Sequence, residues 1–271
     1  MPLPEDSYGR VKRLDFICAI VKTARPRAIL DIGCGAGTQL TAPLAAAFPH
    51  IAIIGLDEDT RSLAWARAHA ASHNLTFVAP GEIAPDRRFE LVIASEVLEH
   101  VADPPDFLRQ LTARLAPGGR LILTVPNGYG VFEWMALAEA ALNLSGIQAA
   151  LRRLKGGRAE TFDGTPVTLA NSPHINFFSF RELGQLFAAA GLVVERYRPR
   201  TLLCGYLVDS LLRHRWLITW NARFADRLPA WCASDWMFEL RVLRSATTIG
   251  WRRGRWAEFR KRLNEQRWGI A

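Results

Sequence analysis

The stretch ILDIGCGAG, residues 29–37, decides the fold of this chain. A short apolar run carries Asp31, and three glycines then alternate with small residues. Glycine allows the backbone to turn sharply and allows a ligand to approach the main-chain amides. The G-x-G-x-G spacing differs from the G-x-G-x-x-G of pyrophosphate-binding folds and from the phosphate loop that ends in Lys and Ser or Thr. The stretch therefore predicts a strand, a tight glycine turn and the start of a helix.

The chemical groups of this turn are suited to an amino acid. A helix that begins after the glycines presents free N–H groups and a partial positive charge, which favour a carboxylate. Asp31, just before the glycines, favours an amino group. We therefore expect an amino-acid moiety to be held by Asp31, Gly33, Cys34, Gly35 and Gly37. The alternative is a tight turn between strand and helix that binds no ligand.

Segments typical of strands and helices alternate outward from this turn. Apolar strands are predicted at residues 27–32, 51–56, 75–79, 89–94, 120–125, 192–197 and 236–243. Helices are predicted between them from helical spacing and from capping residues. One helix is expected to start at residue 38, others after caps at Asp59 or Thr60 and at Asp103, and another at a capping box formed by Ser179 and Glu182. Repeated strand–helix units with apolar strands indicate a sheet that is covered on both faces. We predict an α/β fold with a doubly wound seven-stranded sheet, six strands parallel and one reversed.

The regular pattern is interrupted twice, and the interruptions set the predicted domain organisation. Residues 1–26 form an N-terminal helix that ends at Pro26, and residues 27–245 form the main domain. Helical insertions are expected at about 127–178 and 204–230, the first with a helix over 131–154. Residues 246–271 form a basic, aromatic tail.

Composition excludes several classes of protein. Apolar residues make up 49% of the 271 residues, which excludes a disordered chain. No uninterrupted apolar run reaches the length of about 18 residues that a membrane-spanning helix needs, and the first ten residues lack an apolar signal core. The four cysteines lie far apart, which favours a reducing cytoplasm over a disulfide framework or a zinc site. The net charge is +8, and residues 241–271, with nine Lys or Arg and two Glu, carry +7 of it.

A second candidate for ligand binding is Asp57, which ends the second predicted strand about 20 residues after the glycines. An acidic residue at this edge of a sheet can accept hydrogen bonds from both hydroxyls of a ribose. Glu58, which follows it, and Ser95, after the fourth strand, are further candidates for the same pocket. The alternative is that Asp57, together with Asp59, caps the next helix.

These residues give the chain a resemblance to class I S-adenosylmethionine-dependent methyltransferases. The glycine motif, Asp57, FELVI at 89–93 and LAPGG at 115–119 follow the order of that family, over residues 27–126 and more loosely over 174–197. The segment SEVLEHV, residues 95–101, is similar to ubiquinone-biosynthesis O-methyltransferases. The resemblance implies a Rossmann-like fold, S-adenosyl-L-methionine as cofactor, and methyl transfer, expected to an oxygen atom. One departure is the segment from Ala79 to Glu82, where the family often has Gly-Asp near the adenine; we place Glu82 in that role.

The pattern E-x-x-E-H, formed by Glu96, Glu99 and His100, is the third candidate. In a helical turn these three side chains share a face, and two carboxylates with an imidazole can bind a divalent cation such as Mg, Mn or Zn. The resemblance adds His174 as a distant fourth ligand. The alternatives are a metal-free role for His100, with Glu99, as catalytic base or positioning group, and a purely structural role.

Candidate acceptor contacts follow the fifth strand, at Asn127 and Tyr129, and include His174. Ligands of open α/β sheets bind at the carboxyl ends of strands, although a turn chosen for its Pro and Gly is an equal alternative. The size of the insertions suggests an acceptor that is sizeable or partly apolar, either a small molecule or a lipid-linked one. We expect the reaction to belong to a biosynthetic pathway.

The tail has two interpretations. Trp256, Phe259 and Leu263 lie at helical spacing among arginines, which suits a helix on the inner membrane face and equally suits packing on the fold. Nucleic acid is disfavoured as a partner because the nearly neutral body lacks a basic track for phosphates.

Three other functions stay open for the whole chain. It could be an RNA 2′-O-methyltransferase, which shares the E-x-x-E-H pattern, or a non-catalytic S-adenosylmethionine-binding partner protein. A nicotinamide dehydrogenase is the third, and the glycine spacing disfavours it. Nothing in the sequence indicates an oligomeric state.

Overall fold

The computed structural model of the chain describes residues 5–70, 72–131, 133–134, 174–204, 212, 214–243 and 252–268, with side chains up to residue 263 in the last segment. The helix predicted over 131–154 lies almost entirely outside the described residues. In the described part no helix is long and apolar enough to cross a membrane.

Seven strands form one sheet in the order β3-β2-β1-β4-β5-β7-β6. They are β1 (Ala28–Ile32), β2 (Ala52–Leu56), β3 (Leu75–Val78), β4 (Phe89–Ser95), β5 (Leu115–Pro126), β6 (Leu192–Pro199) and β7 (Asp235–Val242). All neighbours pair in parallel except β7, which is antiparallel to β5 and to β6. The predicted doubly wound Rossmann-like sheet with one reversed strand is confirmed.

Helices cover both faces of the sheet. They are α1 (Arg10–Ala24), α2 (Thr41–Ala47), α3 (Thr60–His69), α4 (Pro104–Ala113), α5 (Phe180–Ala189), α6 (Arg215–Ala225) and α7 (Arg255–Trp268). Buried side chains of α1, α2 and α3 form one apolar cluster with the sheet, and those of α4 and α5 form a second. Neighbouring residues of a strand enter opposite clusters, as Ile29 and Leu30 do, which is why the central strands are apolar throughout.

Capping residues begin three helices where the sequence predicts them. Asp59 accepts hydrogen bonds from the N–H groups of Arg61 and Ser62 at the start of α3. Asp103 accepts from the N–H of Asp106 in α4. Ser179 and Glu182 form the reciprocal capping box of α5. Each cap satisfies N–H groups that have no partner inside the helix.

The elements differ from the prediction around two glycine-containing turns. Helix α2 begins at Thr41 rather than at residue 38, because the glycine turn extends through Leu40. Strand β5 begins at Leu115, five residues before the predicted start, and the segment PGG at 117–119 lies inside it as an irregularity. Gly118 takes φ +77, so the chain turns locally without ending the strand.

The register of the strands places the functional residues together. Ile32 pairs with Leu56 of β2 and with Ala94 of β4, so the carboxyl ends of the three strands lie level. The segments that follow these ends carry the glycine turn, Asp57 and the E-x-x-E-H pattern. The fold therefore presents all three predicted motifs at one edge of the sheet.

Candidate active site

A cavity of about 1180 Å³ lies at the carboxyl edge of the parallel strands. Most of the predicted site residues line it: Asp31, Gly33, Cys34, Gly35, Gly37, Asp57, Glu58, Ser95, Glu96, Glu99, His100 and His174. Glu82, Asn127 and Tyr129 are not part of its lining.

The glycine turn needs glycine for two physical reasons. Gly33, Gly35 and Gly37 have φ of +74°, +54° and +73°, a region that side chains rarely adopt. A Cβ at Gly37 would lie 2.6 Å from the ring of Phe77, and one at Gly33 would collide with Val97. Side chains are therefore excluded at Gly33 and Gly37, because Val97 and Phe77 pack against these positions.

Asp31 sits behind the turn, only 2% exposed. Its Oδ2 accepts a hydrogen bond of 2.7 Å from the hydroxyl of Thr41. Burial raises the pKa of Asp31 to about 7, although the bond from Thr41 opposes the shift. A bound ammonium group would favour the ionised form, so this carboxyl fits the predicted contact with an amino group.

Asp57 braces the glycine turn from the end of β2. Its Oδ2 accepts a hydrogen bond of 2.6 Å from the N–H of Gly35, and its Oδ1 accepts one of 2.9 Å from the N–H of Asp59. The cap of α3 is Asp59, so Asp57 is not needed for that role. Glu58 is exposed at the rim of the cavity. Ribose binding by Asp57 stays a prediction that its position allows.

Glu82 does not reach the cavity, contrary to its predicted place near an adenine. Its Oε2 accepts a hydrogen bond of 2.7 Å from the N–H of Ala79 and lies 3.0 Å from Nη2 of Arg67. The carboxylate closes an exposed turn, and Pro80 and Gly81 of that turn line the cavity instead.

The prediction that Glu96, Glu99 and His100 share the face of a helical turn is wrong. Strand β4 ends at Ser95, and Glu96 takes a left-handed conformation with φ +59°, followed by a turn rather than a helix. These three side chains therefore do not share one face of a helix.

Glu96 instead joins a buried network of charges. Its Oε1 accepts a hydrogen bond of 2.6 Å from Thr124 and lies 3.2 Å from Nη1 of Arg200. Arg200 also lies 2.7 Å from Asp235 at the start of β7. Burial opposes ionisation of Glu96, but the charges of Arg200 and Arg13 outweigh it and hold its pKa below the ordinary value. The sequence did not predict Arg13, Arg200 or Asp235.

Ser95 connects this network to α1. Its Oγ accepts a hydrogen bond of 3.1 Å from Nη1 of Arg13 and lies 2.8 Å from Oγ1 of Thr124. Arg13 is 5% exposed and lines the cavity. The N-terminal helix therefore supplies part of the wall.

Glu99 is the most unusual carboxylate of the site. It is 1% exposed, and neither of its oxygens has a hydrogen-bond partner among the described residues. Burial and the nearby charge of Glu96 raise the pKa of Glu99 to about 8. A buried polar group without a partner is costly, so it marks a place where a ligand can be accommodated.

Glu99, His100 and His174 form a three-residue cluster in which one donor atom of each lies within 4.8 Å of the others. The imidazole rings of the two histidines are 4.9 Å apart at their centroids. The cluster contains two nitrogen donors and one oxygen donor, a set that can bind a divalent cation. Glu96 is not part of it, which corrects the predicted set of four ligands.

The segment at 174–176 reaches the turn of Glu99 through main-chain and amide bonds. The N–H groups of Ile175 and Asn176 both donate to the Glu99 carbonyl at 2.9 Å. The amide of Asn176 donates to the carbonyl of Val101 at 2.7 Å. These bonds explain how His174, distant in sequence, comes to lie beside His100.

A buried ion-pair chain orients His174 from the other side. Nδ1 of His174 lies 2.8 Å from Oε1 of Glu133, and Oε2 of Glu133 lies 2.9 Å from Nη2 of Arg260. Burial lowers the pKa of His174, but the bond and charge of Glu133, with the charge of Glu99, more than compensate and raise it to about 9. Arg260 belongs to α7, so the C-terminal helix reaches the site, which the sequence did not predict.

Asn127 has a structural role, and neither Asn127 nor Tyr129 belongs to the cavity lining. The amide of Asn127 donates to the carbonyls of Trp231 (2.9 Å) and Ala233 (2.8 Å), and its Oδ1 accepts from the N–H of Tyr129 (3.1 Å). All polar atoms of the Asn127 side chain therefore join two turns. These contacts favour the alternative interpretation of this segment as a turn.

Comparisons with known proteins agree with this geometry. A family described as a methyltransferase domain matches residues 10–197. The chain is 35% identical over 136 residues to the ubiquinone biosynthesis O-methyltransferase of Bradyrhizobium diazoefficiens, covering 49% of this chain and 50% of that protein. It is 28% identical over 204 residues to the trans-aconitate 2-methyltransferase of Methylobacterium nodulans, covering 75% and 70%.

The fold has solved counterparts. The N-methyltransferase NodS from Bradyrhizobium japonicum, in complex with S-adenosyl-L-homocysteine, superposes with a TM-score of 0.51 at 15% identity, covering 88% of both chains. The match to the ubiquinone relative spans about half the length of each protein, whereas the family match extends from α1 to β6. With the sheet topology and the glycine turn, these matches show that the chain belongs to the S-adenosylmethionine-dependent methyltransferases.

Proposed function

We propose that this protein transfers the methyl group of S-adenosylmethionine to an oxygen atom of a small or lipid-linked acceptor. The observation that carries the proposal is that one cavity contains both the cofactor motifs and the cluster of Glu99, His100 and His174. The cofactor supplies a methyl group made electrophilic by its sulfonium. The protein then has to align the acceptor, exclude water and receive a proton.

The cofactor half of the cavity divides into two parts. The glycine turn and Asp31 would hold the amino-acid moiety, since they offer main-chain N–H groups and a buried carboxyl. Asp57, at the end of the neighbouring strand, would hold the ribose. The spacing of these groups along adjacent strands supports this division.

The cluster would act on the acceptor hydroxyl. In the metal-free form, His100 takes the proton, and Glu99, whose Oε1 is 3.8 Å from Nε2 of His100, stabilises the resulting charge when its own carboxyl is ionised. In the alternative form, Glu99, His100 and His174 would hold a divalent cation, which would supply positive charge that favours the ionised acceptor. Two imidazoles and one carboxylate favour Zn or Mn over Mg, because Mg prefers oxygen ligands.

Oxygen is proposed as the nucleophile because of two lines of support. The ubiquinone biosynthesis relative is named an O-methyltransferase. The cluster also combines an imidazole with a carboxyl, which suits deprotonation of a hydroxyl group. The acceptor itself is proposed only as a class, since the match to that relative covers half of each chain.

The test is a transfer assay with methyl-labelled S-adenosylmethionine and a panel of catechols, phenols, carboxylic acids and amines. We expect label on hydroxyl oxygen, and loss of transfer in Glu99→Gln with binding of S-adenosylhomocysteine unchanged. Label recovered only on nitrogen or carbon would contradict the O-methyltransferase assignment. Cofactor binding without transfer to any acceptor class would favour a non-catalytic binding protein.

A further inference from the structure

We infer that the edge of the molecule at which the cavity opens docks on the surface of an anionic lipid bilayer. The contact is made by the outward side of α7 together with Trp134, and we call these residues the docking face: Trp134, Trp256, Phe259 and Leu263, flanked by Arg252 and Arg255. This inference does not depend on the identity of the methyl acceptor.

The first step concerns the orientation of α7. Its inward side is fixed by Ala257, 1% exposed, and by Arg260, 3% exposed. Nη1 of Arg260 donates to the carbonyl of Gly128 at 2.6 Å, and its guanidinium lies 3.9 Å from the ring centroid of Phe177. The helix therefore packs on the body through a small residue and a buried arginine, while Trp256, Phe259 and Leu263, on the adjoining side of the helix, stay partly exposed.

The second step concerns what the outward side presents. Trp256, Phe259 and Leu263 are 40%, 51% and 40% exposed. Trp134, 51% exposed, stacks on Trp256 with ring centroids 6.0 Å apart. Large contiguous apolar groups on a surface are costly in water and mark an interaction site. The helix thus packs on the fold, as one interpretation of the tail predicts, and still leaves aromatic side chains partly exposed.

The third step identifies the partner from charge and residue type. Arg252 and Arg255 are exposed beside the aromatic residues, and residues 241–271 carry a net charge of +7. Tryptophan and phenylalanine flanked by arginine suit the region between lipid headgroups and acyl chains, where the rings are buried and the cations remain near anionic headgroups. A protein partner would need a patch that is both acidic and apolar, which is a more specific requirement than an anionic bilayer makes. We therefore propose the bilayer as the partner.

The fourth step places the cavity at the same edge. Every tryptophan in the described segments that is more than a third exposed lies after the carboxyl end of a strand or on α7: Trp134, Trp216, Trp220, Trp231 and Trp256. Trp216, Trp220 and Trp231 lie between the end of β6 and the start of the antiparallel β7, which is the edge that bears the cavity. A bilayer bound there would lie at the edge of the sheet that bears the cavity.

The experiment is co-sedimentation of the full chain with phosphatidylcholine vesicles that contain or lack phosphatidylglycerol, at low and high salt. We expect binding to the anionic vesicles that weakens with salt. The triple variant Trp134→Ser, Trp256→Ser, Phe259→Ser should bind the vesicles at least about tenfold more weakly. Its binding of S-adenosylhomocysteine should be preserved and serves as the check of folding, because none of the three residues lines the cavity.

A charge pair separates docking from general attraction. Arg252→Glu with Arg255→Glu should weaken binding by about tenfold or more, since each arginine near an anionic surface contributes about fivefold. The matched control is Arg27→Glu with Arg109→Glu, two exposed arginines away from the docking face, and it should weaken binding far less. Equal losses in both pairs, or no binding by the unmodified protein, would overturn the inference.

A second measurement addresses other partners. In light scattering after gel filtration, we expect no dimer that the triple serine variant dissociates. A dimer that this variant does dissociate would assign the docking face to a second copy of the chain. Binding of RNA in the absence of vesicle binding would assign it to nucleic acid. Either result would overturn the membrane inference.

Discussion

Oε1 of Glu133 lies 2.8 Å from Nδ1 of His174, and both residues are largely buried. The other oxygen of Glu133 pairs with Arg260 of the C-terminal helix. Because Glu133 contacts Nδ1, it fixes the orientation of the His174 imidazole in the cluster with Glu99 and His100. The C-terminal helix is therefore connected to the site by two charged contacts.

Removal of Arg260 is expected to be strongly destabilising. Arg260→Ala leaves the Glu133 carboxylate buried with one partner fewer, which should lower the free energy of unfolding by about 3 kcal/mol. The matched control is Arg262→Ala on the same helix, whose contact with Glu258 is exposed and should contribute about 0–1 kcal/mol. Urea denaturation of both variants measures the difference, and equal losses would show that the buried ion pair is not important.

The three-residue cluster makes a prediction about cations. Glu99→Gln should weaken binding of Zn or Mn by about tenfold or more while S-adenosylhomocysteine binding is unchanged, because Glu99 supplies the oxygen donor. Glu58→Gln is the control, since Glu58 is an exposed carboxylate of the same cavity that does not belong to the cluster. If calorimetry detects no cation binding and a chelator leaves turnover unchanged, the metal-free form with His100 as base is the one that stands.

Asp31 predicts how cofactor affinity depends on pH. Below its pKa of about 7 the carboxyl of the unliganded protein is protonated, and an ammonium ligand must displace that proton. The affinity for S-adenosylhomocysteine should therefore rise by about tenfold per pH unit up to neutrality and then level off. Asp31→Asn should bind more weakly and lose this dependence, and an unchanged slope in the variant would assign the titration to another group.

The same carboxyl affects stability in the opposite direction. Since burial raises the pKa of Asp31 in the folded protein, the folded state retains the proton more tightly than the unfolded chain does. The contribution of Asp31 to stability is thus complete at acidic pH and is lost as pH rises toward about 7. In thermal melts without ligand, the melting temperature of the unmodified protein should fall as pH rises across this range. The melting temperature of Asp31→Asn, which lacks the titrating carboxyl, should fall less.

Gly33 tests the glycine turn. Gly33→Ala imposes a side chain at φ +74° and against Val97, so it should destabilise the protein by about 1–3 kcal/mol and reduce cofactor binding. Gly184→Ala is the matched control, because nothing lies within 4 Å of the new Cβ and helix α5 should gain about 0.5–1 kcal/mol. A Gly33 variant as stable as its control would contradict the strained geometry.

The features that sequence analysis predicted correctly depend on neighbouring residues. The glycine turn, the caps at Asp59 and Asp103 and the capping box at Ser179 each involve residues within a few positions of one another. The sheet followed from repeated apolar strands, whose parallel pairing needs both faces covered. The position of Asp57 beside the turn followed from the level ends of β1 and β2.

The features it did not predict depend on contacts between distant residues. Glu96 shows this most clearly. Its backbone is left-handed, and its side chain pairs with Arg200, which is 104 positions away. Glu133 and Arg260, 127 positions apart, give no local signal either. Arg13 could have been found, since it shares the buried side of α1 with Phe16, Ile17 and Ile20.

The most direct test of the central claim is a calorimetric titration with S-adenosylhomocysteine and, separately, NADH. The account predicts binding of S-adenosylhomocysteine alone, weakened in Asp57→Ala by about 1–3 kcal/mol because hydroxyl and main-chain N–H partners lose their acceptor. Glu58→Gln, at the exposed rim, is the control and should bind nearly as the unmodified protein does. Binding of NADH with no heat from S-adenosylhomocysteine would contradict the assignment of this cavity to methyl transfer.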